Sequence, residues 1–307
     1  MPAILIKNKK SLIALAILCL VAATAALVAD PPARHAMPSD SSDVLPIGNQ
    51  KYTLDQPLKG HVYLCGANFF PSGAHRTGEW IDEARGVWFP GRKPSVQGAN
   101  FWKGATSLFT AEGAMRSIQV RGVPADHPTG DFPIKRTDPA FAYDRNPNPV
   151  REFPTTLQVP RNPVPSLVAA CLPWGPIGYA LSGVPFFHAI DTLGRDAPAY
   201  EIQDQCAGHP APPGRYHHHT LADNECLGTT ASDGKEAKLL GYSLDGFGIY
   251  SQYEDGQELQ TDDLDECHGH AHVIEWDGVR TEMYHYHATR DYPYTLSCFK
   301  GIPAVRP

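Results

Sequence analysis

The chain carries one order of landmarks twice, and this repetition constrains its fold more than any other feature. Each copy begins with short apolar runs around a glycine-containing turn, continues with the pattern Asp-x-Cys-x-Gly-His, reaches a histidine cluster and closes with a cysteine. The first copy lies in residues 171–228 and the second in residues 239–301. Because four landmarks recur in one order, we expect an internally duplicated domain with two related halves about a pseudo-two-fold axis.

Turn signals within the two copies favour short β-strands. Ser182-Gly183, Asp245-Gly246 and Asp277-Gly278 each separate apolar runs and are typical of two-residue hairpin turns, which need residues that tolerate a positive φ. Helix signals are scarce, and the best short candidate runs from Asp262 to Cys267 with Thr261 as its cap. The sequence therefore predicts a mainly β fold with few short helices.

Three segments precede the duplicated domain, which we place at residues 115–301. Residues 1–25 begin with lysines and continue into an apolar run, the layout of a secretory signal peptide, with cleavage expected after Ala25 or alternatively after Ala29. A retained membrane anchor is the other interpretation, because the apolar run is nearly long enough to span a bilayer. Proline, serine and aspartate in residues 26–50 predict a flexible tether. Aromatic and glycine-rich residues 51–114 predict an N-terminal extension of strands and loops.

Composition limits the compartment and the partners of the mature chain. Export would place it in the periplasm or outside the cell, and no second apolar stretch long enough for a membrane span follows the first. Loss of the three lysines in the signal segment changes the formal net charge from -7 to -10. Because the chain also lacks a basic run, we expect no nucleic-acid partner.

Six cysteines remain once Cys19 is removed with the signal peptide. An even count in an exported chain predicts three disulfides, although six cysteines allow 15 pairings. Two equivalent halves should carry equivalent disulfides. Either Cys206–Cys226 and Cys267–Cys298 form within the halves, or the pairs cross symmetrically between the halves; we favour the pairing within the halves. Either pairing leaves Cys65 and Cys171 to join the extension to the core. Oxidised cysteines are not metal ligands, so a metal site would depend on histidine and carboxylate.

Two histidine clusters form the predicted functional centre: Tyr216-His217-His218-His219 and Tyr284-His285-Tyr286-His287. Residues two apart on a strand share a face, so the imidazoles of each His-x-His pair can converge on one metal ion. The histidine three residues after each repeated cysteine is the natural third ligand. The predicted metal ligands are His209, His217, His219, His270, His285 and His287.

Two geometries satisfy this pattern: each half builds its own three-histidine site, or the two His-x-His faces meet at the pseudo-axis. Imidazole-rich sites suit Zn²⁺ or Cu²⁺, and three histidines with an open position are a catalytic layout. Nearby carboxylates are expected to support the imidazoles, and three histidines that differ between the halves are expected at the surface or beside the ligands. The carboxylates are Asp204, Asp265 and Glu266; the histidines are His218, His268 and His272.

Further motifs resemble the YHYH-domain family, named for its Tyr-His-Tyr-His motif. The resemblance covers roughly residues 115–301 and departs from the pattern at Tyr216-His217-His218-His219, where histidine replaces the second tyrosine. It implies this domain and an exported protein, but no particular reaction. Its main motifs are Tyr284-His285-Tyr286-His287-Ala288-Thr289, Asp291-Tyr292-Pro293-Tyr294-Thr295, Cys298-Phe299-Lys300-Gly301, Gly175-Pro176-Ile177-Gly178 and Asp245-Gly246-Phe247-Gly248-Ile249-Tyr250.

Three functions are compatible with these residues. The first is a metal-dependent hydrolase, in which a bound water attacks and Asp265 or Glu266 acts as general base. The second is a protein that holds zinc or copper without turnover. The third is a cell-surface module that binds glycan or protein through its aromatic residues and carries no metal.

Overall fold

The computed structural model describes residues 44–304, so the predicted signal peptide and most of the predicted tether lie outside the described residues. The strands are β1 (Leu45–Pro46), β2 (Tyr52–Thr53), β3 (Val62–Tyr63), β4 (Ile81–Asp82), β5 (Val87–Trp88), β6 (Ser107–Glu112), β7 (Met115–Val120), β8 (Thr155–Pro160), β9 (Gly178–Ala180), β10 (Pro185–Phe186), β11 (Gly208–Ala211), β12 (Arg215–His218), β13 (Leu239–Ser243), β14 (Gly248–Tyr250), β15 (Tyr253–Glu254), β16 (Gln257–Glu258), β17 (Gly269–Trp276) and β18 (Val279–His287). The helices are α1 (Ala197–Tyr200) and the 3₁₀ helices Pro90–Arg92, Pro139–Ala142, Glu225–Leu227, Ala231–Asp233 and Thr261–Asp263. This confirms the prediction of a mainly β fold.

Eight of these strands form one sheet in the order β11-β12-β10-β9-β13-β14-β18-β17. At its centre β9 and β13 pair antiparallel, with Tyr179 opposite Tyr242. On each side the arrangement is the same: β10 lies parallel to β12 and β14 lies parallel to β18, and an antiparallel hairpin forms each edge. The two halves therefore have equivalent strand orders, while their common ancestry stays a prediction.

The predicted turns lie where strands reverse. Ser182-Gly183 joins β9 to β10, Asp245-Gly246 joins β13 to β14, and Asp277-Gly278 joins β17 to β18. Glycine is needed in these turns, since Gly183 has φ 90° and Gly278 has φ 81°. The local chemistry of three dipeptides therefore sets the hairpins that build the sheet.

The predicted helix from Asp262 to Cys267 is wrong in extent and in type. A single 3₁₀ turn, Thr261–Asp263, occupies the start of this segment and is capped by Gln260 rather than by Thr261. The segment then turns away because the Asp265 carboxylate accepts the N–H of Cys267 at 2.9 Å, a local bond that competes with helical pairing. The α-helix α1 was not predicted; its N-cap is Asp196, whose carboxylate accepts the Ala199 N–H.

The N-terminal extension consists of short strands, as predicted, but it begins earlier than residue 51. Strand β1 pairs with β5, so Leu45 to Gln50, assigned to the tether, contribute to the folded unit. Further pairings within the extension are β4 with β5 and β2 with β3, and β6 of the extension pairs with β7 of the duplicated domain in the sheet β6-β7-β8. Buried residues of the extension, among them Val62 and Trp80, share one hydrophobic core with residues of the eight-stranded sheet such as Phe186.

Three disulfides have the pairing that we favoured. Cys206–Cys226 and Cys267–Cys298 form within the halves, with Cα–Cα distances of 5.3 and 4.7 Å. Cys65–Cys171 ties the extension to the start of the first copy. Within residues 44–304, no helix has the length and apolar character required to cross a bilayer.

Candidate metal centres

The first centre lies on the hairpin of β11 and β12, near one edge of the large sheet. His217 and its neighbour two residues on, His219, share a face, and their Nε2 atoms are 3.0 Å apart. His209 on β11 lies directly opposite His217, with a ring-centroid distance of 4.4 Å. All three side chains are buried, and one nitrogen from each lies within 4.8 Å of the others. The structure thus brings together the three histidines predicted for this half.

Backbone carbonyls determine which nitrogen of each ring faces the centre. His217 Nδ1 donates to the carbonyl of Arg215 at 3.1 Å, and His219 Nδ1 donates to the carbonyl of His188 at 2.6 Å. Because a carbonyl only accepts, each Nδ1 carries a proton, and Nε2 with its lone pair is the ring atom left to bind a cation. Two lone pairs at 3.0 Å are mutually repulsive without a cation between them.

His209 is a buried imidazole with unused hydrogen-bonding capacity. Within the described part of the chain, neither of its ring nitrogens forms a hydrogen bond. Burial lowers the pKa of His209 to about 4, and burial with the adjacent His209 and His219 holds the pKa of His217 well below its usual range. His209 and His217 are therefore neutral at pH 7, the state in which imidazole binds metal.

A carboxylate that was not predicted completes the first group. Glu201, buried just after α1, places Oε2 3.5 Å from His209 Nε2 and 3.4 Å from His219 Nε2. Burial alone would raise the pKa of Glu201, but the neighbouring imidazoles and Arg195 lower it, so the side chain is an anion at neutral pH. An anion at this position favours a cation among the three histidines.

The second centre lies on the hairpin of β17 and β18, near the other edge of the sheet. His270 is opposite His285, and the Nε2 atoms of His270 and His287 are 3.2 Å apart. As in the first half, the Nδ1 atoms donate to carbonyls, from His285 to Met283 at 3.2 Å and from His287 to Ser251 at 2.6 Å. Burial, with the adjacent His285, lowers the pKa of His287 to about 3.

Glu254, at the end of β15, contacts every histidine of the second centre. Its carboxylate lies 3.0 Å from His270 Nε2, 3.2 Å from His285 Nε2 and 3.8 Å from His287 Nε2. Neither Glu254 nor Glu201 was predicted from the sequence. Of the two predicted geometries, the structure has the first, with one histidine group per half at opposite ends of the sheet.

The first tyrosine of each cluster has a structural role on the other face of its strand. The Tyr216 hydroxyl donates to both oxygens of Asp204, at 2.9 and 2.8 Å, and the Tyr284 hydroxyl donates to Asp265 at 2.9 Å. Each tyrosine ring also covers the glycine of the repeated Asp-x-Cys-x-Gly-His pattern: a Cβ on Gly208 would lie 2.1 Å from the Tyr216 ring. The repeated aspartate, glycine and tyrosine therefore form one packed unit behind the histidines.

The carboxylates that were predicted to support the imidazoles or act as base have other partners. Asp204 accepts from the N–H groups of Gly130, Cys206 and Gly208 as well as from Tyr216. Lys300 Nζ lies 3.0 Å from both Asp265 and Glu266. None of the three belongs to either histidine group. The role of Asp265 or Glu266 as base stays an untested prediction.

The three histidines that differ between the halves were expected at the surface or beside the ligands. His218 and His268 are instead buried in the core, where His218 Nδ1 donates to the Ala207 carbonyl at 3.0 Å and His268 Nε2 lies 2.9 Å from the Thr289 hydroxyl. His272 is half exposed, and its Nδ1 lies 3.3 Å from Glu254. The expectation is therefore met by His272 and is wrong for the other two, whose side chains are buried.

The first centre differs from the second in lining a large cavity. Glu201, His209, His217 and His219 form part of the wall of a cavity of about 790 Å³, to which the N-terminal extension and residues 144–148 also contribute. Spaces of 300–1,000 Å³ with mostly apolar walls are typical of small-molecule sites. The first centre is therefore accessible to an organic ligand.

Fold and site together define a β protein with two groups of histidine and glutamate, one in each half of a sheet whose halves have equivalent strand orders. The model of the YHYH protein family matches residues 156–261, which confirms the family identification for that part of the chain. The matched range contains the whole first centre and Glu254, and it ends before His270. No curated protein and no solved structure matches the chain.

Proposed function

We propose that this protein binds two divalent cations, zinc or copper, with one ion in each histidine group. One observation carries the proposal: buried His217 and His219 direct their Nε2 atoms at each other, 3.0 Å apart, while both Nδ1 atoms are committed to carbonyls. In the second half the Nε2 atoms of His270 and His287 lie 3.2 Å apart, and the Nδ1 of His287 is committed in the same way. A histidine with only a packing role would direct Nε2 to a donor or an acceptor, whereas Nε2 of His217 meets the Nε2 of a second imidazole, His219. A shared cation removes the repulsion in both groups.

The ligand chemistry supports Zn²⁺ or Cu²⁺ over harder cations. Each centre offers three imidazoles, ligands that suit these two metals, whereas calcium and magnesium prefer sites made wholly of oxygen atoms. The anionic Glu201 and Glu254 compensate part of the charge of an ion buried in the protein. The backbone carbonyls that accept from Nδ1 orient the rings, as the outer partners of metal-bound histidines generally do.

The two centres differ in what they can do chemically. Glu254 lies within 3.8 Å of all three imidazoles of its group, a four-ligand set typical of an ion held without turnover. In the first centre, the three histidines line the cavity beside Glu201, which is placed to accept a proton from water bound there. We propose metal-assisted hydrolysis at the first centre, with Glu201 better placed as base than Asp265 or Glu266.

Metal analysis of protein purified without a nickel column tests the proposal. We expect about two equivalents of zinc or copper in the wild type, and loss of about one in each double variant, His217→Ala/His219→Ala and His285→Ala/His287→Ala. The variant His61→Ala, which changes an exposed histidine, is the control and should retain both ions. Thermal denaturation identifies any variant that has unfolded.

Two outcomes would contradict parts of this proposal. A folded wild type that takes up neither zinc nor copper would leave only a metal-free module that binds glycan or protein. A metal-loaded protein without hydrolytic activity toward aryl esters would leave a metal-holding protein. Export to an oxidising compartment remains part of the proposal, and it is supported by three disulfides that such a compartment maintains.

A further inference from the structure

The cavity beside the first centre has walls that favour an aromatic molecule. Most of its lining surface is apolar, and Phe70, Trp174 and Phe187 contribute aromatic rings. Phe187 stacks on His217 at a centroid distance of 4.0 Å, and Trp174 Nε1 donates to the Gly66 carbonyl at 2.8 Å. These contacts hold two of the rings in place, so a planar ligand would meet a preorganised surface.

The charged groups of the cavity favour an anion. Its three carboxylates already have partners: Asp144 accepts the N–H groups of Ile202 and Asn146, Asp191 pairs with Arg195, and Glu201 faces the imidazoles. The two lining arginines differ, because neither Arg145 nor Arg215 lies within 4.0 Å of a carboxylate in residues 44–304. Two guanidinium groups are therefore free to bind an oxyanion.

The arginines are also held near the cavity by stacking on aromatic rings. Arg145 lies 5.4 Å from the centroid of Phe141, and Arg215 lies 4.9 Å from that of Phe153. Such contacts restrict a guanidinium group while leaving its N–H donors available to a carboxylate. Aromatic walls and unpaired guanidinium groups thus occur in one cavity of about 790 Å³.

We propose that this cavity is a binding site for a small aromatic carboxylate, with its ring against Phe187 and Trp174 and its carboxylate on Arg145 or Arg215. The inference goes beyond the proposed function, because these contacts do not require a metal ion. If the first centre is hydrolytic, the same contacts would select esters that carry an aromatic acid.

Calorimetric titration with 2-naphthoate tests this site on protein dialysed against chelator and on metal-loaded protein. Acetate lacks the ring of this probe, and 2-naphthylmethanol lacks its charge. We expect one equivalent of naphthoate to bind both forms of the protein, and both analogues to bind at least about tenfold more weakly. Equal affinity for 2-naphthylmethanol, or no binding of naphthoate, would overturn the inference.

Variants locate the contacts. Arg215→Gln and Phe187→Leu should each weaken naphthoate binding about tenfold, whereas Arg280→Gln, on an exposed part of β18, should have no effect. If Arg215→Gln unfolds, the exposed Arg145 supplies a second variant, Arg145→Gln. Unchanged naphthoate affinity in the folded arginine variants would overturn the assignment. Metal content measured in the same samples separates failure of this site from failure of the metal centres.

Discussion

The Tyr216 hydroxyl provides a test of whether the tyrosines of the clusters stabilise the fold while the histidines bind metal. It donates to both oxygens of the buried Asp204, at 2.9 and 2.8 Å, and it lies on the face of β12 opposite the proposed ligands. Tyr216→Phe removes this donor and keeps the ring that covers Gly208. We therefore expect a loss of stability without a loss of metal.

The magnitude follows from the remaining partners of Asp204. Three backbone donors stay in place, from Gly130 at 2.7 Å, Cys206 at 2.9 Å and Gly208 at 3.1 Å. The variant therefore loses one hydrogen bond to a charged group, worth about 1.5–3 kcal/mol, rather than leaving the carboxylate bare. For a domain of this size, that corresponds to a fall in Tm of about 3–12 °C.

Urea denaturation gives the free energy of unfolding, and metal analysis of the same sample gives the stoichiometry. Tyr63→Phe is the matched control, because the Tyr63 hydroxyl makes only an exposed 3.4 Å contact with the Asp55 carbonyl; its effect should stay within about 0.5 kcal/mol. The reasoning is refuted if Tyr216→Phe loses one metal equivalent at unchanged stability. It is also refuted if the two phenylalanine variants are equally stable.

Three further predictions concern packing, pH and the disulfides. Gly208→Ala places a methyl group 2.1 Å from the Tyr216 ring and should cost about 3 kcal/mol or more in urea denaturation, whereas Gly66→Ala, whose nearest neighbour is 3.8 Å away, should be close to neutral. Burial raises the pKa of Asp196 to about 6. The protonated carboxyl group therefore stabilises the fold fully below about pH 4, and this stabilisation is lost as pH rises through 6. Asp196→Asn should remove this pH dependence of the free energy of unfolding, which amounts to up to about 3 kcal/mol between pH 4 and 7. Serine replacement of Cys65–Cys171, which closes 106 residues, should destabilise by about 1.5 kcal/mol more than that of Cys206–Cys226, which closes 20; equal midpoints for the two double variants would contradict this order.

Local features of the fold were predictable because they depend on neighbouring residues. A dipeptide such as Asp277-Gly278 specifies a tight turn by itself, and equivalence of the halves led to the cysteine pairing that the structure has. Strand order could not be predicted from neighbouring residues, because the parallel pairs β10–β12 and β14–β18 join segments that are distant in sequence. The start of the folded unit was also misjudged, since β1 becomes a strand only by pairing with β5.

The histidines of the site were predictable and its glutamates were not. The spacing of two on a strand places both imidazoles of each pair on one face, whatever the rest of the fold does. The two glutamates lie at different places in their halves: Glu201 follows α1, whereas Glu254 is the last residue of β15. Alignment of the two halves therefore does not pair one glutamate with the other. Nearness in sequence suggested Asp265 and Glu266 instead, but Lys300 binds both carboxylates.

The difference between the clusters Tyr-His-His-His and Tyr-His-Tyr-His follows from the two faces of a strand. The third position faces the core in both halves: the Tyr286 hydroxyl donates to Asp245 at 2.6 Å, and His218 donates to the Ala207 carbonyl at 3.0 Å. Either side chain is buried and hydrogen-bonded there, and neither belongs to a group that could hold a metal ion. The second and fourth positions supply the facing imidazoles in both halves. Replacement at the third position therefore changes packing and stability while the proposed metal ligands stay the same.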